Sequence, residues 1–168
     1  MLMENKLSLE TQRIAGAFIF YSRIPLPSNW YSAKISHCSR YFSLVGWLVG
    51  GVSVGVLLLA QMLFSNSSGT ATDGTLPITV LLGMIAAVLL TGALHEDGFA
   101  DTCDGLGGGW TPEERLQIMK DSRIGTYGAL GLVFLLLLKF FALLQIEAEI
   151  LPWVWLAGNA LSRFISIS

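Results

Sequence analysis

Apolar residues in this chain are gathered into long blocks. Tyr41 to Phe64 and Leu76 to Leu94 each run without a charged side chain, and Tyr127 to Ile146 is interrupted only by Lys139. About 20 such residues, wound as a helix, reach across the hydrocarbon of a bilayer. The pattern therefore predicts transmembrane helices over 41–64, 76–94 and 127–146, with a fourth over 150–168 that contains Arg163. The chain stops inside that fourth block, which predicts a further C-terminal part. Upstream, residues 7–24 set Ile14, Ala17, Phe18 and Tyr21 on one helical stripe but are too short and too charged to cross comfortably. They read as an amphipathic helix in the interface, or as a re-entrant or buried one. Pro25 and Pro27 end it, and Trp30 and Tyr31 suit the headgroup layer. The expected fold is all-α: one polytopic membrane bundle over 1–168.

Composition agrees and adds an orientation. Mean hydropathy is +0.62, and 13% of residues are charged, against about 25% in soluble domains. Lys6, Arg13, Arg23, Lys34 and Arg40 precede the first block; Arg115, Lys120 and Arg123 lie between the second and third. The segments 65–75 and 147–149 have no basic residue. Basic residues favour the cytoplasmic side, so the N-terminus and the 95–126 loop are expected there. Cys38 and Cys103 fall on that side, where a disulfide is not expected, and Cys103 reads as a small packing thiol. Asn66-Ser67-Ser68 matches a glycosylation sequon, a pattern short enough to be chance. No cleavable signal peptide is expected before the first block, since the first apolar run begins late and lacks a small-residue cleavage site. Gly46-xxx-Gly50 and Gly51-xxx-Gly55 allow close helix packing, within the chain or as the seam of a homo-oligomer.

The candidate chemistry lies in His95 to Gly128, which holds most of the acidic residues. Asp97, Asp101 and Asp104 are spaced i, i+4, i+7 and fall within an arc of about 60° on one helical face. Stacked carboxylates repel one another, whereas a divalent cation converts the repulsion into coordination. Oxygen-only ligands favour Mg²⁺ or Mn²⁺. The 76–94 helix is expected to run straight on into this face. The helix should then break at the glycine-rich turn 105–109, where Gly107 and Gly108 offer backbone N–H groups to phosphate. Thr111-Pro112-Glu113-Glu114 is a helix start with a capping box, so Glu113 and Glu114 read as cap and solvated charge. Carboxylates (Glu96, Asp97, Asp101, Asp104, Asp121) beside Lys120 and Arg123 suit a metal-bound phosphate or pyrophosphate.

Leu94 to Gly105 (LHEDGFADTCDG) and Met119 to Gly128 (MKDSRIGTYG) together resemble the cobalamin synthase family, the adenosylcobinamide-GDP ribazoletransferases. Phe20 to Pro25 and Arg40 to Gly46 extend the resemblance, with Ser43 where proline is expected. It implies a bacterial or archaeal inner-membrane enzyme, dependent on Mg²⁺. Such an enzyme joins adenosylcobinamide-GDP to α-ribazole 5′-phosphate or α-ribazole and releases GMP. On that footing Glu96, Asp97, Asp101 and Asp104 are the expected metal ligands. Lys120 and Arg123 neutralise phosphate, Asp121 is a further ligand or the base, and His95 is a base or a helix-end hydrogen-bonding group. The expected partners are these substrates and the lipid bilayer, with no nucleic acid.

Three other readings compete. CDP-alcohol phosphotransferases also string aspartates along membrane helices, but their Asp-x-x-Asp-Gly-x-x-Ala-Arg order is absent: Asp97-Gly98 leads to Ala100-Asp101 without an arginine. A divalent-cation transporter requires acids facing one another at midplane, whereas these gather at one edge. A non-catalytic membrane scaffold is the third.

Overall fold

A computed structural model of the chain describes residues 9–30, 38–64 and 74–165. Lys6, Tyr31, Lys34, the sequon at Asn66, most of the 65–75 segment and residues 166–168 lie outside the described residues. Among those described there are seven α-helices and no strand. They are α1 (Leu9–Tyr21), α2 (Phe42–Phe64), α3 (Thr75–Thr91), α4 (Leu94–Gly108), α5 (Pro112–Met119), α6 (Thr126–Leu144) and α7 (Leu151–Ile165). Two stretches, Ser39–Phe64 and Thr126–Leu144, are long and apolar enough to cross a membrane. α3 meets that test only jointly with α4, as a pair bent by 86°.

That bend corrects the expectation of one straight helix from the apolar block into the aspartates. Gly92 (φ 67°) and Ala93 (φ 62°) are both left-handed, and the N–H of Ala93 closes the end of α3 on the carbonyl of Val88. Such a conformation is easy for glycine and costs alanine about 1–2 kcal/mol. Arg23 secures the corner from outside. Its N–H donates to the carbonyl of Leu90 at 2.8 Å, and a Cβ on Gly92 would stand 2.3 Å from its Nε.

α2 is the centre of the bundle, with α3 and α7 packed along it. One cluster joins Tyr21 of α1 to Phe42, Val45 and Val49 of α2 and Ala87 of α3. A second joins Leu57 of α2 to Val80 and Met84 of α3 and Leu151 and Trp155 of α7. In lipid, helices associate by close packing rather than by escape from water, and the small residues show where. A Cβ on Gly46 would lie 2.5 Å from the Asn159 carbonyl oxygen, so α2 touches the α7 backbone there; Gly51 and Gly55 face open space. The first small-residue pair is thus an intramolecular contact. α1 packs on α2 through Ala17 and Tyr21, and Arg40 ties the two elements by a fork on Glu10, at 2.7 Å to each oxygen.

Candidate active site

α4 carries the acidic face and is seated on α5 and α6. It remains helical through Gly105 and Gly107 to Gly108, where a break was expected. A Cβ on Gly107 would stand 2.4 Å from the Tyr127 ring, and one on Gly105 2.7 Å from the Met119 side chain. These glycines admit α5 and α6 at close range. The amides of Gly107 and Gly108, being helical, point along the helix ladder.

Asp104 is 8% exposed and stands between α4 and α6. Its two oxygens accept from the N–H groups of Gly125 at 2.7 Å and Gly128 at 2.8 Å. It therefore caps the N-terminus of α6 from another helix, satisfying donors that the first turn leaves unpaired. Neither donor position can carry a side chain: a Cβ on Gly125 would stand 2.4 Å from Asp104 Oδ1 and one on Gly128 2.3 Å from Asp104 Oδ2. Further along, Cys103 packs on Gly131, as expected of a packing thiol, and no disulfide joins it to Cys38.

The remaining acids face a cleft of about 340 Å³ whose walls include Glu96, Asp97, Asp101, Lys120, Asp121 and Ser122. α4 supplies three carboxylates and the turn after α5 supplies the lysine and the fourth. The capping box that starts α5 fixes where that turn falls: Thr111 Oγ1 accepts from the N–H of Glu114 at 3.2 Å, and Glu114 accepts from that of Thr111 at 3.1 Å. Arg123 folds back on Asp121 with a 2.7 Å ion pair. It lines a neighbouring cleft of about 290 Å³ that includes Asp104 and Asp121, so Asp121 borders both clefts. The Arg123 guanidinium and backbone N–H hold the Asp121 carboxyl below its usual range, which makes it a poor proton acceptor. Among the described residues neither Asp97 nor Asp101 is in an ion pair. No three His, Cys, Asp or Glu side chains there stand close enough together to enclose a metal ion.

His95 points elsewhere. Its ring lies 5.4 Å from that of Tyr21, and it faces a separate cavity shared with Glu96, Lys139 and Arg163. Lys139, the charge that interrupts the third apolar block, has its surroundings in this cavity; an intramembrane cation is expected to face protein in this way. Sequence reasoning did not show with which residues. It also missed Asp104 as a cap, because nothing local links it to glycines more than twenty positions away.

Residues 13–168 match the family model described as cobalamin-5-phosphate synthase. The chain belongs to that family. Curated cobalamin-synthase relatives named adenosylcobinamide-GDP ribazoletransferase include one from Shewanella frigidimarina, 47% identical over 160 residues, covering 90% of this chain and 56% of the relative. Another, from Leptospira interrogans, is 44% identical over 165 residues (96% and 58%). A third, from Vibrio cholerae, is 45% identical over 156 residues (90% and 56%). The chain spans somewhat more than half the length of these relatives. No solved structure matches it.

Proposed function

We propose that this chain carries the diphosphate-handling site of a Mg²⁺-dependent membrane transferase. The enzyme joins adenosylcobinamide-GDP to α-ribazole 5′-phosphate, or α-ribazole, and releases GMP. The observation that carries this reading is the single cleft holding Glu96, Asp97, Asp101, Lys120 and Asp121 in a member of the cobalamin synthase family. The donor set suits Mg²⁺, which keeps several waters and takes one or two carboxylates together with substrate phosphates. Asp97 and Asp101 are the residues to hold it, with Glu96 and Asp121 near. A preformed three-acid cage is not needed, and Asp104 is already occupied by two backbone donors. When bound, the ion supplies charge neutralisation on the diphosphate.

The transfer forms a bond from a ribose hydroxyl oxygen to the phosphorus attached to cobinamide. It breaks the bond from that phosphorus to the oxygen of GMP, which leaves with the electron pair, while the hydroxyl proton passes to a base. Lys120 lies in the cleft wall where charge accumulates on the transferred group. Arg123 reaches phosphate on release from Asp121. The excess of Lys and Arg on the N-terminal and 95–126 segments supports a cytoplasmic-facing site in the cell membrane of a bacterium or archaeon.

Full-length protein in membranes, given adenosylcobinamide-GDP, α-ribazole 5′-phosphate and Mg²⁺, should release GMP and form the corrinoid product. Asp101→Asn should lower that rate at least ~100-fold while the protein stays folded. A wild-type protein that releases no GMP, or an Asp101→Asn variant at full rate, would overturn the proposal.

A further inference from the structure

The chemistry above leaves the cleft beside the acidic one without an occupant. It holds about 290 Å³ between the end of α4, α5 and the start of α6, and it meets the acidic cleft at Asp121. The aromatic side chain in its wall is Tyr127. A Cβ on Gly107 would stand 2.4, 2.5 and 2.8 Å from three neighbouring carbons of that ring. Such similar distances put the face of the ring, not its edge, on the α4 backbone. Tyr127 is nonetheless 58% exposed, so what it shows to solvent is its other face and its rim. The result is a flat surface backed by a helix and fixed before any ligand arrives. Aromatic surfaces of this kind hold nucleobases by stacking, because every base has a π-face. A tyrosine at the end of a membrane span also suits the headgroup layer, but that role requires neither a cleft nor Asp121 and Arg123 beside it.

Size and connectivity say which part of the substrates enters. With the diphosphate in the acidic cleft, the donor carries a corrinoid on one side of it and guanosine on the other. A cleft of about 290 Å³ is at the small end of ligand sites. It accommodates a nucleoside and not a corrin macrocycle with its side chains. Guanosine is joined to the diphosphate directly, so it must occupy space that adjoins the acidic cleft, and the two clefts adjoin at Asp121. Arg123, paired with Asp121 at this border, stands where negative charge collects on the phosphate of the departing GMP. We infer that this second cleft is a nucleoside subsite, in which the guanine of the donor stacks on the open face of Tyr127. The acceptor is also a nucleoside, but it need only bring a hydroxyl to the phosphorus. The assignment to guanosine rests on the transfer reading, and the stacking surface rests on the cleft alone.

The test has two arms. In phosphatidylcholine nanodiscs with Mg²⁺, full-length protein should bind GMP ~10-fold more tightly than ribose 5-phosphate, the share that stacking of the base supplies. Tyr127→Ala should erase that difference by weakening GMP binding ~10-fold, with ribose 5-phosphate bound as before, which shows the variant folded. Tyr127→Phe keeps the ring and should bind GMP as the wild type does. A wild type that binds the two ligands equally, or a Tyr127→Ala variant that retains full GMP affinity, overturns the subsite and leaves Tyr127 as a headgroup anchor. In the second arm, steady-state kinetics separate the two nucleosides. Tyr127→Ala should raise the KM for adenosylcobinamide-GDP ~10-fold and leave that for α-ribazole 5′-phosphate unchanged. A rise confined to α-ribazole 5′-phosphate overturns the guanosine assignment. A wild type that binds GMP through Tyr127 and transfers nothing leaves the subsite standing and removes the transfer reading.

Discussion

At the scale of single residues, the three aspartates on one helical face divide into two kinds. Asp97 and Asp101 border the cleft with Lys120, whereas Asp104 accepts from two backbone N–H groups at the start of α6. A regular i, i+4, i+7 spacing cannot reveal that difference, since it fixes the face and not what stands opposite. The consequence is measurable. In Asp104→Asn one acceptor becomes an amide donor facing a backbone N–H, and the charge at the helix N-terminus is lost. The variant should be less stable by about 2 kcal/mol, seen as a lower Tm in detergent. Its Mg²⁺ affinity, read by calorimetry, should match that of the wild type, whereas Asp101→Asn should bind Mg²⁺ measurably more weakly. Equal loss of Mg²⁺ binding in the two variants would return Asp104 to the ligand set.

At the scale of elements, what was legible in the sequence was local. Four of the helices lie close to the predicted apolar blocks because long apolar runs leave few alternatives in lipid. The start of α5 follows from four residues, and both bonds of its capping box are present. Replacing Thr111 by Ala should cost about 1 kcal/mol of local helix stability, read as faster hydrogen exchange over residues 113–116. Acid should act on the same cap. The N–H groups of Trp110 and Thr111 hold the Glu114 carboxyl below its usual range. A depressed carboxyl contributes stability above its unfolded pKa and loses it as pH falls through the folded value. Protection of α5 in wild type should thus decline only below about pH 4, and that decline should be absent in Glu114→Gln. Gly92, a helix stop at the end of an apolar run, was a readable sign of the bend. The weight given to a continuous aspartate face hid it. The glycine run 105–109 misled in the opposite sense, because glycine's cost in a helix is offset by the close approach of Met119 and Tyr127.

At the scale of the whole molecule, α2 packs against α3 and α7, which line the cavity around Lys139, although it lines neither that cavity nor the acidic cleft. α3 leads into the acidic helix, and α7, packed on both α2 and α3, brings Asn159 and Arg163 to the cavity that Ala87 and Thr91 of α3 also line. Lys139 and Arg163, charged positions inside apolar blocks, were its sign in the sequence, but nothing local shows that they meet, because the cavity's charged residues come from three helices separated by long apolar stretches. Its geometry depends on how closely α7 approaches α2, and Gly46 sets that distance. A methyl group there meets the Asn159 carbonyl oxygen at 2.5 Å and the Ala160 Cα at 2.8 Å. Backbone atoms cannot rotate away, so α7 must shift and carry Arg163 with it. Gly46→Ala should therefore lower stability by about 1–3 kcal/mol, read as a lower Tm in detergent. Gly51→Ala, five positions further along α2 and facing open space, removes a helix-weakening glycine without a clash. Its Tm should be equal to or above that of the wild type. If the two variants behave alike, α7 is not seated on α2 at Gly46, and the cavity around Lys139 loses the wall that aims Arg163 into it.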